Sequence, residues 1–279
     1  MQIIVDSGAT KSEFIALYHK KIYAHFDTLG INANYSSDKE IEDVYQYAQQ
    51  ILKENLLQIK TITHYGAGCL RQENITRIKT IIQHYFPYTE VFVYSDLLVP
   101  CHALCRNSEG IVGILGTGAA VCHFDGNAII KVAPSLGYLL GDEGSGIDLG
   151  KRFLKAYLSK HLSKKTNELF EKWSPIASTE IISHLYSLPS PRKYFASIAP
   201  FLSENQNNQE IKNICKEAFV HFFRNNRSYF LQNNFSWYLS GSIAFYFKEI
   251  IQEVAYEENI QLQTIIQKPL EKIIDLCLQ

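Results

Sequence analysis

The sequence has no long run of basic residues, and its 279 residues carry a formal net charge of -1. That balance argues against a nucleic acid or an anionic membrane surface as the main partner. No stretch approaches the roughly 20 consecutive apolar residues needed to cross a bilayer. The first residues run straight into an apolar segment, without the basic region and cleavage pattern of a secretory signal. We therefore expect a cytoplasmic protein with neither a nucleic-acid nor a membrane partner.

A C-x-x-C pair is also missing, although the chain has six cysteines. Cys101 and Cys105 have helical spacing, and His102 stands beside Cys101. No second Cys/His pair completes a metal site. We therefore interpret these cysteines as buried free thiols on a helix that faces the core.

Two stretches, residues 2–17 and residues 110–124, share one pattern. In each, an apolar run of strand length breaks at small residues and is followed by a second β-rich run. The breaks are Ser7-Gly8-Ala9 and Gly116-Thr117-Gly118. This pattern predicts two β-hairpins, with glycine where the backbone bends or approaches a ligand. Two similar hairpins, about one domain length apart, indicate two similar lobes whose turns grip one phosphate chain from opposite sides.

Hydrophobic periodicity predicts the order βββαβαβα for the first lobe. The predicted strands are 3–6, 13–19, 22–26, 61–65 and 91–94, and the predicted helices are 38–54, capped by Asp38, 73–85 and 97–106. Such alternation implies a layered α/β domain with its ligand edge at the carboxyl ends of the parallel strands. Gly66 to Gly68 and Ser95-Asp96 fall at these ends.

The second lobe is predicted to begin after a junction at residues 107–108. Its predicted strands are 111–115, 120–124, 128–132, 237–239 and 262–266, with Asp125-Gly126 as a hairpin turn. Its predicted helices are 145–158, 167–173, 181–188, 195–202, 209–230 and one after Ser242. A last helix, 269–278, would pack back on the first lobe. The expected domains are therefore 1–108 plus 268–279, and 109–267.

Asp6, Gly8, Thr10 and Lys11 suit a phosphate and metal site at the first turn. Backbone N–H groups in a tight turn bind anionic oxygens, and a nearby carboxylate holds magnesium directly or through water. An ordinary hairpin with a capping Asp is the alternative. Asp96, at a strand end, suits a general base, which contributes roughly 10²- to 10⁴-fold in rate; the alternative is a plain helix N-cap.

The stretch Gly141-Asp142-Glu143-Gly144-Ser145-Gly146 carries the most information. Asp142 or Glu143 could accept hydrogen bonds from vicinal sugar hydroxyls, and Ser145 would cap the next helix. The alternative is a solvated turn with an N-cap. Ser240-Gly241-Ser242, before a helix, is a candidate contact for adenine or ribose.

In order along the chain, DSGATKS, GIN, SD, GTGA, LLGDEGSG and LSGS resemble the N-acetylglucosamine kinase family, one of the BadF/BadG-type ATPases of the actin/hexokinase/Hsp70 superfamily. The resemblance implies an α/β fold of two RNase H-like lobes, each a mixed five-stranded sheet with flanking helices, and an active site in the cleft between them. It also implies phosphorylation of the sugar 6-hydroxyl with ATP and Mg²⁺ as cofactors.

Matched motif by motif, the resemblance assigns a role to several residues. Asp96 is the catalytic base and Asp6 the magnesium anchor. The ATP-binding residues are Gly8, Thr10, Lys11, Gly116, Thr117, Gly118, Gly241 and Ser242. The sugar-binding residues are Asp96, Thr117, Ser135, Asp142, Glu143 and either Asn32 or Asn34. Sugar and ATP are the expected partners, and whether the protein is a homodimer is left open.

The chain also departs from the family pattern. Ser7, Ala9 and Ser12 replace two glycines and a threonine of the first motif, and Ala119 ends the second without a hydroxyl. The usual G-G-W-G before LLGDEGSG is replaced by residues 134–137, PSLG. These changes favour one alternative to a kinase, a sugar- or nucleotide-binding sensor without turnover. A second alternative is an ATPase of the dehydratase-activator type from the same superfamily, although the scattered cysteines fit its iron–sulfur site poorly.

Overall fold

The computed structural model describes residues 1–8, 11–230 and 235–278, and the chain divides into two compact units. Unit 1 consists of Met1–Ala103 and Pro269–Gln279, and unit 2 of Leu104–Lys268.

Unit 1 contains a mixed five-stranded sheet with the order β3-β2-β1-β4-β5. Its strands are β1 (Gln2–Ser7), β2 (Lys11–Tyr18), β3 (Lys21–Leu29), β4 (Thr61–Gly66) and β5 (Glu90–Ser95). β1 pairs antiparallel with β2 and parallel with β4, which is in turn parallel to β5. Ser7, Gly66 and Ser95 are register partners, so the carboxyl ends of three strands form one edge.

Two long helices cover one face of this sheet. The helices of unit 1 are α1 (Asp38–Ile51), α2 (Gln72–Tyr85), α3 (Leu98–Pro100) and the C-terminal helix Pro269–Leu278, with a 3₁₀ segment at Lys53–Gln58. Ile3 and Val5 pack in one core with buried residues of α1 and α2. Side chains alternate along a strand, so Asp6 points to the opposite face.

Two predictions for unit 1 were wrong in detail. Ser37, and not Asp38, is the N-cap of α1, because its side chain and that of Glu40 form a reciprocal capping box. The expected helix over 97–106 is one turn of α-helix followed by a π-helical segment at Cys101–Cys105. Cys101 and Cys105 are buried and take part in no disulfide bond, as expected.

Unit 2 repeats the same sheet plan with the order β10-β9-β6-β7-β8. Its strands are β6 (Gly110–Leu115), β7 (Ala119–Phe124), β8 (Ile129–Val132), β9 (Trp237–Ser240) and β10 (Leu262–Ile266). β6 pairs antiparallel with β7 and parallel with β9. Gly126, with a φ of 99°, closes the turn between β7 and β8, where Asp125 accepts hydrogen bonds from the N–H groups of Asn127 and Ala128.

Nine helices belong to the described part of unit 2. They are α4 (Gly137–Leu140), α5 (Gly146–Leu158), α6 (Lys164–Trp173), α7 (Ile181–Ser187), α8 (Arg192–Ser197), α9 (Ala199–Glu204), α10 (Gln209–Tyr229), α11 (Ser242–Tyr246) and α12 (Lys248–Glu257). Ser145 caps α5 as predicted. The predicted helix 195–202 is wrong: the chain breaks at Ile198, since Pro200 can only be accommodated in the first turn of a new helix.

The expected fold class is confirmed: two mixed five-stranded sheets, each with flanking helices. Both predicted hairpins are present, because β1 pairs with β2 and β6 with β7. Within the described residues, no helix combines the length and the apolar character that a membrane crossing requires.

Candidate functional site

Two half-buried carboxylates lie at the strand ends of unit 1. Asp6 is the penultimate residue of β1, and Asp96 directly follows β5. The Asp96 N–H donates to the Gly66 carbonyl at 3.2 Å, which fixes the backbone just past β5 to the end of β4. The Asp96 carboxylate accepts hydrogen bonds at Oδ1 from the N–H of Leu97 (3.0 Å) and from the Ser95 hydroxyl (3.1 Å).

The pKa values of both carboxyls are raised. Burial, followed by the charges of Asp96 and Glu13, raises the pKa of Asp6 to about 7. Burial raises the pKa of Asp96, although its hydrogen bonds from Ser95 and Leu97 act in the opposite direction. A divalent cation would relieve the repulsion that Asp6 experiences from nearby negative charges, and a carboxylate oxygen is a ligand type that magnesium prefers. Asp6 is therefore a candidate to hold magnesium, directly or through water.

The loop that carries both candidate sugar-binding asparagines is tied to the Gly66–Gly68 turn. Ala33 N–H donates to the Ala67 carbonyl at 2.9 Å, and Asn32 forms an isolated parallel bridge with Ala67. The Asn32 side chain accepts a hydrogen bond from the Asn34 N–H at 3.0 Å. Gly68 has a φ of 81°, and a Cβ there would lie 2.8 Å from Asn32 Oδ1, so glycine is required.

The first turn is described only in part, because Thr10 lies outside the described residues. Gly8 N–H donates to the Lys11 carbonyl at 2.9 Å, which closes the hairpin. Lys11 Nζ lies 2.9 Å from Asp27 Oδ2 on β3. A phosphate contact by Lys11 therefore requires it to exchange this exposed ion pair, which is worth little, for the ligand.

In unit 2, the second turn is held against the beginning of α5. Gly116 N–H donates to the Gly118 carbonyl at 3.0 Å, and the N–H groups of Gly146 and Ile147 donate to the carbonyls of Gly116 and Thr117. These bonds use two of the N–H groups that a helix N-terminus leaves without an intrahelical partner. The turn is therefore fixed in place, while the Thr117 side chain remains exposed.

Asp142 lies next to this turn. Its Oδ1 accepts a hydrogen bond from Ala119 N–H at 3.3 Å, and a Cβ on Gly118 would lie 3.2 Å from its Oδ2. Asp142 has a φ of 60°, a conformation that Asp tolerates better than most residues. Burial raises the pKa of Asp142, against opposing effects from the Ala119 N–H, Arg192 and Lys151.

The two other predicted sugar contacts of unit 2 have different surroundings. Glu143 accepts a hydrogen bond from the Asn225 amide on α10 at 3.0 Å. Ser135 is exposed in the segment between β8 and α4.

A cavity of about 440 Å³ lies beside the second turn, within unit 2. Gly116, Thr117, Gly146 and Ser242 line one part of it, and residues of α8, α9 and α11, with Phe247, line the rest. Unit 2 thus brings the predicted phosphate turn and the predicted adenosine motif to one cavity.

Gly241 is required at the end of β9, and replacing it by Ala should destabilise the protein. Its φ is 107°, and a Cβ would lie 2.4 Å from the Leu115 carbonyl oxygen. We expect Gly241→Ala to cost at least about 1–3 kcal/mol in the free energy of unfolding, measured by chemical denaturation. Gly116→Ala is the matched control, because nothing lies within 4 Å of a Cβ there. Equal losses for both variants would contradict this explanation.

Sequence analysis missed several residues that hold the candidate loops. The Asn74 amide donates to Asn34 Oδ1 and to the Gly68 carbonyl, both at 2.8 Å. Arg77, one turn further along α2, donates to the carbonyls of Ala33 and Ser36. In unit 2, Asp148 accepts a hydrogen bond from Gly144 N–H at 3.0 Å and pairs with Arg152.

No signal in the sequence marks Asn74 or Arg77, which look like ordinary polar residues of a helix surface. Asp148 could have been found, since a carboxylate three residues after an N-cap serine is common at helix starts.

No protein-family model matches the chain. One curated relative, the N-acetylmuramic acid/N-acetylglucosamine kinase of Clostridium acetobutylicum, is 24% identical over 231 residues, which cover 78% of this chain and 76% of that protein. A Porphyromonas gingivalis structure, provisionally named an N-acetylglucosamine kinase, is 29% identical with a TM-score of 0.89, covering 100% of this chain and 99% of that one.

A more distant structure supports the fold alone. The ROK-family glucokinase from Streptomyces griseus, solved with glucose and AMPPNP, has a TM-score of 0.60 at 13% identity, covering 99% of this chain and 98% of that one. The resemblance that the motifs indicated is confirmed: the chain is similar in sequence to a curated N-acetylmuramic acid/N-acetylglucosamine kinase and shares its fold with sugar kinases of the ROK type.

Proposed function

We propose that this protein is an ATP-dependent sugar kinase that phosphorylates the 6-hydroxyl of an N-acetylated amino sugar, with N-acetylglucosamine as the first candidate. The main supporting observation is the pair of half-buried carboxylates with raised pKa values, Asp6 and Asp96, at the strand ends of unit 1. The homologues named above support the class of enzyme.

Asp96 acts as the general base in this proposal. The hydrogen bonds from Leu97 and Ser95 are both accepted by Oδ1, so we assign Oδ2 to the proton of the sugar hydroxyl. Burial raises the pKa of Asp96, which makes its carboxylate a stronger base than an exposed one. A base is most effective when its pKa lies near the working pH, and its help is worth roughly 10²- to 10⁴-fold.

The nucleoside of ATP would occupy the cavity of about 440 Å³ in unit 2, which Ser242 lines and whose helix α11 begins directly after Gly241. The proposed phosphate contacts of unit 2 are those of the turn Gly116-Thr117-Gly118, and those of unit 1 are Gly8, Thr10 and Lys11.

Asp142 and Glu143 are the proposed sugar contacts of unit 2, with Thr117 and Ser135 as further contacts, and Asn32 or Asn34 is the proposed sugar contact of unit 1. A carboxylate accepts hydrogen bonds from two neighbouring hydroxyls, which positions the ring and leaves the 6-hydroxyl for attack. Burial raises the pKa of Asp142 because its carboxylate has lost part of its hydration. Hydrogen bonds from sugar hydroxyls would stabilise that carboxylate when the sugar binds.

Asp6 would hold Mg²⁺, directly or through water. Bound magnesium supplies positive charge against the phosphate oxygens during transfer. Asp6 supplies a carboxylate near the end of β1. The negative charges of Asp96 and Glu13 repel the ionised form of Asp6, so a bound cation would stabilise that form.

The test is a coupled assay of ADP release with a panel of sugars: N-acetylglucosamine, N-acetylmuramic acid, N-acetylmannosamine and glucose. We expect ADP release that depends on an N-acetylated sugar and on Mg²⁺, and a product phosphorylated at position 6 by NMR. Sugar binding without ADP release would instead indicate a sensor. ADP release that is independent of sugar would favour an ATPase of the activator type.

A further inference from the structure

Two serines that depart from the family motif form one buried pair. Ser7 ends β1 and Ser12 lies opposite it on β2, as register partners. Both are 0% exposed, and their Oγ atoms are 2.5 Å apart. A buried hydroxyl lowers the stability of the folded state unless it has hydrogen-bond partners. We therefore identified the partners of this pair.

The partner of this pair is the residue just before Asn32. Ile31 N–H donates to Ser7 Oγ at 3.1 Å, and Ser7 Oγ donates to the Ile31 carbonyl at 3.2 Å. A hydroxyl has one proton and can accept two hydrogen bonds. Because Ser7 gives its proton to Ile31, Ser12 must be the donor to Ser7. All three hydrogen-bonding capacities of the Ser7 hydroxyl are then used.

The backbone of Ser7 reaches the same loop by a second route. Ala67 N–H donates to the Ser7 carbonyl at 2.8 Å, and Ala33 N–H donates to the Ala67 carbonyl at 2.9 Å. The hydrogen bonds therefore form a closed ring that runs from Ser7 to Ile31, through Asn32 to Ala33, and back through Ala67. Asn32 lies at the middle of the segment that the ring holds on both sides.

We propose that Ser7, supported by Ser12, is a positioning residue that sets the asparagine loop for the sugar. This inference rests on the proposed function, and it assigns the sugar contact to the Asn32 segment. A glycine at position 7 would keep the backbone route and lose the hydroxyl route. Ser7 and Ser12, which both differ from the family motif, then act together in one hydrogen-bond network. Their presence does not indicate that the motif has lost its function.

The test compares the KM for sugar and the KM for ATP in Ser7→Ala, Ser12→Ala and Ser12→Thr. Ser7→Ala should raise the KM for sugar about tenfold, because the Ile31 groups lose a buried partner, and leave the KM for ATP within about twofold. Ser12→Ala should have a smaller effect, and Ser7→Ala/Ser12→Ala should be no worse than Ser7→Ala alone. Ser12→Thr keeps the hydroxyl, so its KM for sugar should equal that of the wild type.

Thr89→Val is the matched control, because it removes another buried hydroxyl of unit 1, which donates to the Ile59 carbonyl. Its melting temperature should fall without a change in the KM for sugar. The proposal is overturned if Ser7→Ala behaves like Thr89→Val, or if both KM values rise together. If Ser7→Ala does not fold, Ser7→Gly decides, since it loses both bonds between Ser7 Oγ and Ile31 and keeps the backbone route. An unchanged KM for sugar in that variant overturns the proposal.

Failure of the proposed function is a separate outcome. If the wild type releases no ADP with any sugar, the kinase proposal fails, and the same variants are compared by calorimetric titration with N-acetylglucosamine. Weaker binding by Ser7→Ala then still supports the positioning role. Equal binding by all variants, or no binding by the wild type, overturns it.

Discussion

Asp96→Asn is expected to lower kcat by about 10²- to 10⁴-fold while the KM for ATP changes little. The substitution removes the oxygen that takes the proton and keeps the shape of the side chain. The proposed ATP contacts are the cavity of unit 2 and the two phosphate turns, and Asp96 belongs to none of them, so ATP binding should not depend on this carboxylate. Steady-state kinetics with N-acetylglucosamine, or with whichever sugar the panel identifies, measures the effect.

The control for this variant is Asp43→Asn, an exposed carboxylate of α1 that pairs only weakly with Lys39. It should retain the turnover of the wild type. The acid limb of the wild-type pH profile should lie above the pKa of an ordinary Asp, about 3.9, because burial raises the pKa of Asp96. Near-normal turnover in Asp96→Asn would remove this residue from the mechanism.

Asp6→Asn is expected to stabilise the protein at pH 8, in the absence of Mg²⁺, while it abolishes magnesium-dependent turnover. The pKa of Asp6 is about 7 in the folded protein, against an ordinary value of 3.8. Between these values the native state binds more protons than the unfolded state, so stability falls as the pH rises. The loss is complete above pH 7 and absent below about pH 4.

Three pKa units correspond to at most about 4 kcal/mol, which sets the scale of the expected gain for Asp6→Asn at pH 8. Urea unfolding at pH 4 and pH 8 measures it, with Asp43→Asn as the control that should show no comparable pH dependence. Adding Mg²⁺ with ATP should stabilise the wild type at pH 8 and have a smaller effect on Asp6→Asn. An equal stability difference at both pH values would contradict the assigned cause.

Local patterns predicted the elements well, since they depend on residues close in the chain. The two hairpins, the Asp125-Gly126 turn and the Ser145 cap all follow from a few neighbouring residues. The errors arose where two local signals competed or where the packing selected a rarer geometry. Ser37 and Asp38 are both good caps, and only the partner Glu40 decides between them.

The candidate site could be predicted only as a set of residue types at strand ends. Asp6, Asp96 and Asp142 stood out because carboxylates follow apolar runs or lie between glycines. The residues that hold the asparagine loop could not be found in this way. Ser7 bonds to a residue 24 positions away, and Asn74 to one 40 positions away.

By itself, the sequence determined which residues form strands, turns and helices, and which carboxylates stand at strand ends, because these properties arise from short-range backbone preferences and side-chain alternation. Only the tertiary structure decided the burial, the pKa values and the hydrogen-bond partners of those groups. Burial raises the pKa of both Asp6 and Asp96, and the charge of Asp96 adds to the effect on Asp6. Ser7, paired with Ser12, gains a hydrogen-bond partner in the asparagine loop. Desolvation, charge repulsion and hydrogen bonding depend on distance in space, which the order of residues along the chain does not specify.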